Sequence, residues 1–541
     1  MIKRNNKKGF TIVELVIVIA VIAILAAVLI PTFAGIIKKA NISSDTQLCK
    51  NMNTALSMAK AEGKSVDTME DVLFAINEAG YVIENLNPTT EGYYFAWDKK
   101  NGLILFLNEQ LGLHYPDDAT LNAADCWITV ADDAEADKIA AKGFSLYLEP
   151  NFEGPLTLAN LVSVDAGANA NIALELTSDA EGTIAIRGSF STVELAAAKA
   201  HVEQYGVANK VTGTVAKNTF VVNGFVQSLE LTSGKVEVAA TGVVKTYTAA
   251  ADVEFAATSK GIIVSGAPAG YTSAANVTIN NKAELEAFRD IVNGGYNYAG
   301  ITVTLNADID LAGVAWTPIG NFCRSDADKG NGFAGTFDGA NHTVKNLSNT
   351  GFSISGLNLG NVATSATTIN GVKYVETVYG LFGSVVGKVE IKNLSVANAN
   401  IDMVVDYDAK RVGDSVGAIV GYVARTSEFT MTNCSASGTI KGHDAVGGLV
   451  GRSYANSTTI SGGKNSANVT ADGLNVAKGT KAAGICGYAG SINTYTISIS
   501  GTNSGEISVV NTTASTPLVA KIYTYAETLA DKTQKMHLIN E

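Results

Sequence analysis

The chain has 541 residues, with 53 glycines, 8 prolines, 17% charged residues and a formal charge of −12. That length is a prior for roughly three or four domains, and the many Gly, Thr, Val, Asn and Ala residues favour β-structure with tight turns. The acidic balance argues against a nucleic-acid partner for the outer part, since phosphate binding needs clustered Lys and Arg. Cys49, Cys126, Cys323, Cys434 and Cys486 are scattered and form no Cys-x-x-Cys pair, which argues against a zinc site and a disulfide scaffold and leaves a single disulfide open.

Residues 3–15 read Lys-Arg-Asn-Asn-Lys-Lys-Gly-Phe-Thr-Ile-Val-Glu-Leu, followed by an apolar run to Ile37 and then Lys38-Lys39. From Phe10 to Ile37 the one charged residue is Glu14. About 20 apolar residues suffice to cross the hydrocarbon as a helix. A carboxylate at mid-membrane costs roughly 2.5–3.5 kcal/mol on insertion scales, which marks Glu14 as a functional candidate. Lys3, Arg4, Lys7 and Lys8 precede the span, so the leader is expected in the cytoplasm and the remainder outside.

Gly9-Phe10-Thr11-Ile12-Val13-Glu14-Leu15, behind its short basic leader, resembles the type IV prepilin cleavage and methylation motif at every position. The resemblance covers about residues 1–60. It implies cleavage between Gly9 and Phe10 by a prepilin peptidase, N-methylation of Phe10 by a methyltransferase, and subunit packing guided by Glu14. Pro31 falls where such pilins often bend or melt the helix. Loss of the four basic leader residues takes the formal charge to −16. Two plainer readings compete: a secretory signal peptide cut near Ala26-Ala27 or Ala34-Gly35, and a simple anchor that tolerates Glu14. The Gly-Phe-Thr-x-x-Glu spacing supports neither.

Beyond the span, Leu48, Met52, Leu56 and Ala59 form an apolar stripe, so the helix is expected to continue to about Glu62 and stop at Gly63. A helix over residues 10–62 is about 80 Å long. Residues 63–125 read as a small α+β head. Asp67 or Thr68 caps a helix that carries Met69, Val72, Leu73 and Ile76. The segments 93–97 and 103–107 then flank Asp98–Gly102 as a β-hairpin. Tyr93, Tyr94 and Trp97 read as hairpin packing rather than a sugar-stacking platform.

Residues 126–268 alternate over Ser145–Leu148, Ile172–Leu176, Thr183–Ile186, Thr219–Val222, Ser228–Leu231, Lys235–Val238 and Gly261–Val264, which predicts a β-rich domain, either a sandwich or a solenoid. Leu195–Gln204 reads as a helical interruption. From Asn276 the character changes. Asn281 and Glu284 make a capping box for a helix that lines up Leu285, Phe288 and Val292. The phrases at 302–311, 316–320 and 333–339 resemble the opening of the right-handed β-helices of bacterial surface proteins, where a short helix caps the first coil.

Four phrases follow: Gly380-Leu381-Phe382-Gly383, Ala418-Ile419-Val420-Gly421, Gly448-Leu449-Val450-Gly451 and Gly484-Ile485-Cys486-Gly487. They lie 38, 30 and 36 residues apart, and each leads to an asparagine-containing strand, at Asn393, Asn433, Asn465 and Asn503. This resembles the GLUG repeat of exported proteins, implying stacked units whose central apolar pairs face inward. The glycines allow tight turns or close backbone approach, and the asparagines stack or satisfy turn backbone. The predicted architecture is thus mostly β with a long N-terminal helix: leader 1–9, assembly helix 10–62, head 63–125, β-rich domain 126–268, right-handed parallel β-helix 269–515 and tail 516–541.

Catalysis is not legible. Asp308, Asp310 and Asp338, with Arg324 and His342, are the nearest match to the carboxylate clusters of polysaccharide-cleaving β-helices, but their spacing reads better as turns. No His-Glu-x-x-His or phosphate-binding Gly-rich loop occurs, and no cofactor or metal is implied. The expectation is a non-enzymatic, single-pass surface or pilus protein, a minor pilin or adhesin. Its expected partners are the prepilin peptidase and methyltransferase, other pilin subunits, the membrane, and a carbohydrate or host-surface ligand. A pseudopilin-like secretion or DNA-uptake component, or an anchored protein that never polymerises, is the alternative. A polysaccharide-cleaving enzyme is the reading from a different class.

Overall fold

The computed structural model describes residues 12–62, 64, 66–81, 86–152, 154–160, 162–167, 172–177, 182–196, 199–312, 316–320, 332–349, 365–369, 372–376, 378–404, 410–411, 415–473, 480–490, 496–510, 518–528 and 534–540. Helix α1, Ile12–Ala61, runs 50 residues, about 75 Å at 1.5 Å per residue. Its composition divides it in two. The most apolar 18-residue window has a mean hydropathy of 3.3 and buries nothing. In the second half Cys49, Met52, Ala55, Leu56 and Ala59 are buried against the head, as their spacing predicts.

Helix α2, Met69–Glu78, begins at Thr68, whose side chain accepts from Asp71 N while the Asp71 side chain accepts from the cap backbone. Such a box satisfies amides that the first helical turn leaves unpaired. The hairpin pairs Tyr94–Asp98 with Leu103–Leu107, Tyr94 opposite Leu107. Phe95, Trp97 and Phe106 face α1 and α2, and Trp97 is 1% exposed. Polar side chains of α1 stitch the helix to the head. Asn53 bonds both backbone groups of Ile104, at 2.7 and 2.9 Å, and Asp45 accepts from Thr89 N and Thr90 N at 2.9 and 2.8 Å.

The hairpin does not end as a separate sheet. Tyr94–Asp98 also pairs antiparallel with Cys126–Val130, Trp97 opposite Trp127. From Cys126–Val130 onward this sheet continues by parallel pairing, and it comprises 16 described strands. Ser189, Val207, Phe225, Val243 and Ile262 stand in line on successive strands, 18 or 19 residues apart. Residues 126–265 are therefore a curled stack of parallel strands, which excludes a sandwich of antiparallel sheets. Leu195–Gln204 is not a helical interruption. Its described ends fall on the strands Ser189–Ala196 and His201–Gln204, where Val193, Leu195 and Val202 are buried in the stack, and packing overrides the helix propensity of the alanines. Helix α3, Asp133–Ala140, capped by Asp132, has no counterpart in the sequence reading.

Helix α4, Lys282–Asn293, opens the second stack. Asn281 Oδ1 accepts from Glu284 N at 3.0 Å, and Glu284 accepts from Asn280 N at 2.7 Å. Leu285, Phe288, Ile291 and Val292 are buried. Parallel strands then follow, with Lys388, Glu428, Ser457 and Thr496 in line. Residues 518–539, read from the sequence as a tail, carry the next rung: Tyr523 pairs with Cys486, and Gln534–Ile539 folds back antiparallel on Tyr523–Thr528.

Candidate functional site

Two regions carry the residues singled out by sequence. At the N-terminus, Gly9 and Phe10 lie outside the described residues. Glu14 sits in the first turn of α1, where the partial positive charge of a helix N-terminus favours a carboxylate. The apolar residues around it are open, with Ile12 82% and Ile37 58% exposed. Helix α1 runs through position 31 as one element. A helix whose first half is apolar apart from Glu14 and uncovered needs a bilayer or other helices around it.

The second region is the row of repeated phrases. Leu381, Phe382, Ile419, Val420, Leu449, Val450, Ile485 and Cys486 are all 0% exposed, and Phe382, Val420, Val450 and Cys486 stand in line on successive strands. The final glycines of the phrases form a column. A Cβ on Gly383 would lie 2.6 Å from Gly320 O, on Gly421 2.9 Å from Gly383 O, on Gly451 2.7 Å from Gly421 O, and on Gly487 2.7 Å from Gly451 O. No side chain fits where backbone meets backbone at that range. Gly320 is a further member that the sequence reading missed, although Pro318-Ile319-Gly320 shares the apolar-Gly ending and Ile319 bridges to Phe382. The first stack has glycine contacts of its own, Gly206 on Gly188, Gly224 on Gly206 and Gly261 on Gly242, legible in hindsight as glycines at 18- or 19-residue spacing.

The asparagines divide into two roles. Asn393 and Asn433 adopt left-handed backbone at φ 52° and 53°, while Asn465 donates to Asn503 Oδ1 of the next rung at 2.7 Å. The carboxylates weighed for catalysis serve turns and ladders. Asp308 accepts from Thr343 N at 3.0 Å and Lys345 Nζ at 3.2 Å, and these hold it below the usual carboxylate range. Asp310 accepts from Ala312 N and Asn346 Nδ2 at 2.8 and 2.7 Å, and Asp338 from Ala340 N and Asn393 Nδ2 at 2.9 and 3.1 Å. His342 Nδ1 lies 3.4 Å from Asp308, and Arg324 is outside the described residues. Among the described residues no group of three or more His, Cys, Asp or Glu is placed to hold a metal ion. Cys49, Cys126, Cys434 and Cys486 are free and buried, and burial pushes each thiol up to about 12.

Sequence reasoning also missed a buried charge cluster behind the phrases. Asp444 accepts from Arg452 Nη2 at 2.6 Å and Lys481 Nζ at 3.0 Å, and Arg452 lies 5.5 and 5.4 Å over the rings of Tyr454 and Tyr488. Asp444, Arg452 and Tyr454 lie close in sequence, but Lys481 and Tyr488 belong to the next rung, and the stacking of rungs brings them in.

Residues 4–30 match the family model of the prokaryotic N-terminal methylation motif. The chain is 40% identical over 60 residues to the fimbrial protein of Moraxella nonliquefaciens, covering 11% of this chain and 39% of that one. It is 36% identical over 92 residues to the type IV wide pilus major component PilA4 of Thermus thermophilus, covering 17% and 64%. Halomucin of Haloquadratum walsbyi is 28% identical over 184 residues, covering 33% of this chain and 2% of halomucin. The chain thus spans less than two thirds of the length of these relatives. A solved Bacteroides ovatus structure overlaps 49% of this chain and 84% of its own at 14% identity with a TM-score of 0.25, which carries no argument. The methylation motif, the similarity to type IV pilins and the single apolar N-terminal helix together make this a pilin-like exported protein with a large parallel-stranded body.

Proposed function

We propose that the chain is a non-enzymatic minor pilin or pilus-borne adhesin that presents a right-handed parallel β-helix of the GLUG type to the environment. The observation that carries this reading is the division of α1. One half is apolar and uncovered, and the other is packed into a head whose sheet runs on into the stacked body. Prepilin peptidase cuts after Gly9, the methyltransferase modifies Phe10, and neighbouring pilin subunits cover the apolar half. The size of the body favours a minor subunit, because a major pilin must tile closely around the filament. The outer face of the second stack bears a shallow groove of about 410 Å³ lined by Ser395, Ser435, Lys464, Ser466 and Thr502 from successive rungs, a surface suited to a polar ligand such as a carbohydrate.

The test is N-terminal mass spectrometry on membrane and sheared-filament fractions. Wild-type protein is expected in both, beginning at methylated Phe10. Glu14→Leu removes the carboxylate that pairs with a neighbour's terminal amine where water is scarce. It is expected to be cut normally and to accumulate in the membrane, yet to be missing from filaments. A mature start beyond Ala26 ends the reading. Filaments that contain Glu14→Leu at the wild-type level leave a plain anchor.

A further inference from the structure

The first stack ends in an edge that its own sequence leaves undefended. The last strand, Ile262–Ser265, stands at the end of the sheet and among the described strands pairs only with Val243–Ala249. Gly261-Ile262-Ile263-Val264-Ser265-Gly266 carries no charge and no proline, and three of its six residues are β-branched. Short segments of that kind pair readily with other chains through free N–H and C=O groups. An edge lysine or proline is a usual defence, and neither occurs here.

Residues 266–275, which connect the two stacks, lie across that edge. Ser273 Oγ accepts from Ile263 N at 2.9 Å and donates to Ile263 O at 2.8 Å, so one hydroxyl takes both outward backbone groups, as a neighbouring strand would. Gly261 O accepts from Tyr271 Oη at 2.7 Å and from Ala274 N at 3.2 Å. The Tyr271 ring meets Phe255 edge-on at 4.9 Å, and Phe255 meets Tyr247 at 5.8 Å. That aromatic row fastens the connection to the first stack, while Ala274 packs against the core of the second. Gly266 and Gly270 adopt left-handed backbone at φ 78° and 83°, which only glycine takes freely. Most of the segment is exposed. Held by few hydrogen bonds over exposed backbone, it can open while the stack beneath stays folded.

We infer that residues 266–275 are a strap that seals the end of the first stack, and that the strand Ile262–Ser265, once the strap lifts, takes the same strand of a second copy as its partner. Two identical edges meet as a closed two-fold pair. An edge without charges offers no complementary charge to a different partner and no repulsion to its own copy. Val264, 54% exposed, then lies at the contact from both sides. The strap works as a guard because it is tethered. Its side chains compete for the edge at the high effective concentration of a short linker, and an incoming strand must displace four hydrogen bonds.

Hydrogen–deuterium exchange and sedimentation of the full chain in detergent test the two halves of the inference. Ser273→Ala is expected to give the peptide over residues 261–266 one additional fast-exchanging amide, that of Ile263, while strands 225–238 keep their protection. Tyr271→Ala with Ser273→Ala is expected to sediment as a concentration-dependent dimer of the wild-type species. Adding Val264→Lys to that pair charges the edge and is expected to restore the wild-type value. Unchanged exchange at 261–266 in Ser273→Ala overturns the strap. A double variant that gains the fast amide yet sediments as wild type overturns the self-pairing, as does a dimer that survives Val264→Lys. Should the double variant lose the protection of 225–238, Tyr271→Phe with Ser273→Ala keeps the ring, removes both hydroxyls and carries the same two readings.

Discussion

Asp444 shows how much one side chain can carry inside a stacked body. Its carboxylate is 3% exposed and sits between Arg452 and Lys481. Burial alone would raise its proton affinity, but the two cations and their hydrogen bonds hold it below the usual carboxylate range. The stability it contributes is therefore present above the ordinary value of 3.8 and is lost as the pH falls through the lower folded value. Asp444→Leu takes the balancing carboxylate from two buried cations, which costs about 3–5 kcal/mol. Denaturant melts at neutral pH are expected to show that loss, and the variant is expected to lose less further stability than wild type on acidification. Replacing Arg452 and Lys481 with Met as well removes the unbalanced buried charge, and most of the loss is expected to return. A triple variant as unstable as Asp444→Leu would mean that the cluster matters through packing rather than charge.

At the scale of elements, the legible parts are those with a local signal. The stripe Met52, Leu56, Ala59 marked the buried half of α1, Asp67 or Thr68 the start of α2, where Thr68 is the cap, Asp98–Gly102 the hairpin, and Asn281 the start of α4. The four phrases were legible because each sets two apolar residues before a glycine, with glycine or alanine ahead of them, at a recurring interval, a pattern that suits an inward-facing pair on stacked strands. The 18-residue rungs of the first stack were not, since their identity lies in cross-rung register rather than in any window of sequence. Leu195–Gln204 misled for the same reason: alanines carry helix propensity, while the partners that make strands of its ends, Gly213 for Leu195 and Phe220 for Val202, lie elsewhere in the chain. The phrase glycines allow a direct check. A Cβ on Gly487 would lie 2.7 Å from Gly451 O and from Val446 N, so Gly487→Ala forces two rungs apart. A cost of about 1–3 kcal/mol, typical of overpacking, is expected in thermal melts, whereas Asn456→Asp on an exposed turn leaves the melt in place.

For the whole molecule, the continuity of the first sheet has the largest consequence. Helix α1, the head hairpin and the first stack share pairing and core, because Trp97 meets Trp127 across the junction and Tyr147 of the next rung joins the head core. The body is thus carried on α1 without a swivel at residues 125–126, and force on the body passes through hydrogen-bonded strands to the helix. The same continuity makes the head the cap of the first stack. Stacked repeats need a cover on each terminal unit, and a bare edge strand offers unpaired N–H and C=O groups to other chains. A fragment of residues 126–541 uncovers Cys126–Val130, with Trp127 and Tyr147 stripped of the α1 and α2 side chains that bury them. It is expected to elute from size-exclusion chromatography as oligomers or aggregate. A fragment of residues 40–541, which drops the uncovered apolar half of α1 but keeps Cys49, Met52 and Leu56 over the hairpin, is expected to elute as a monomer. Were 126–541 to run as a stable monomer, the head would be a passenger on the stack rather than its cap, and the rigid path from helix to body would not hold.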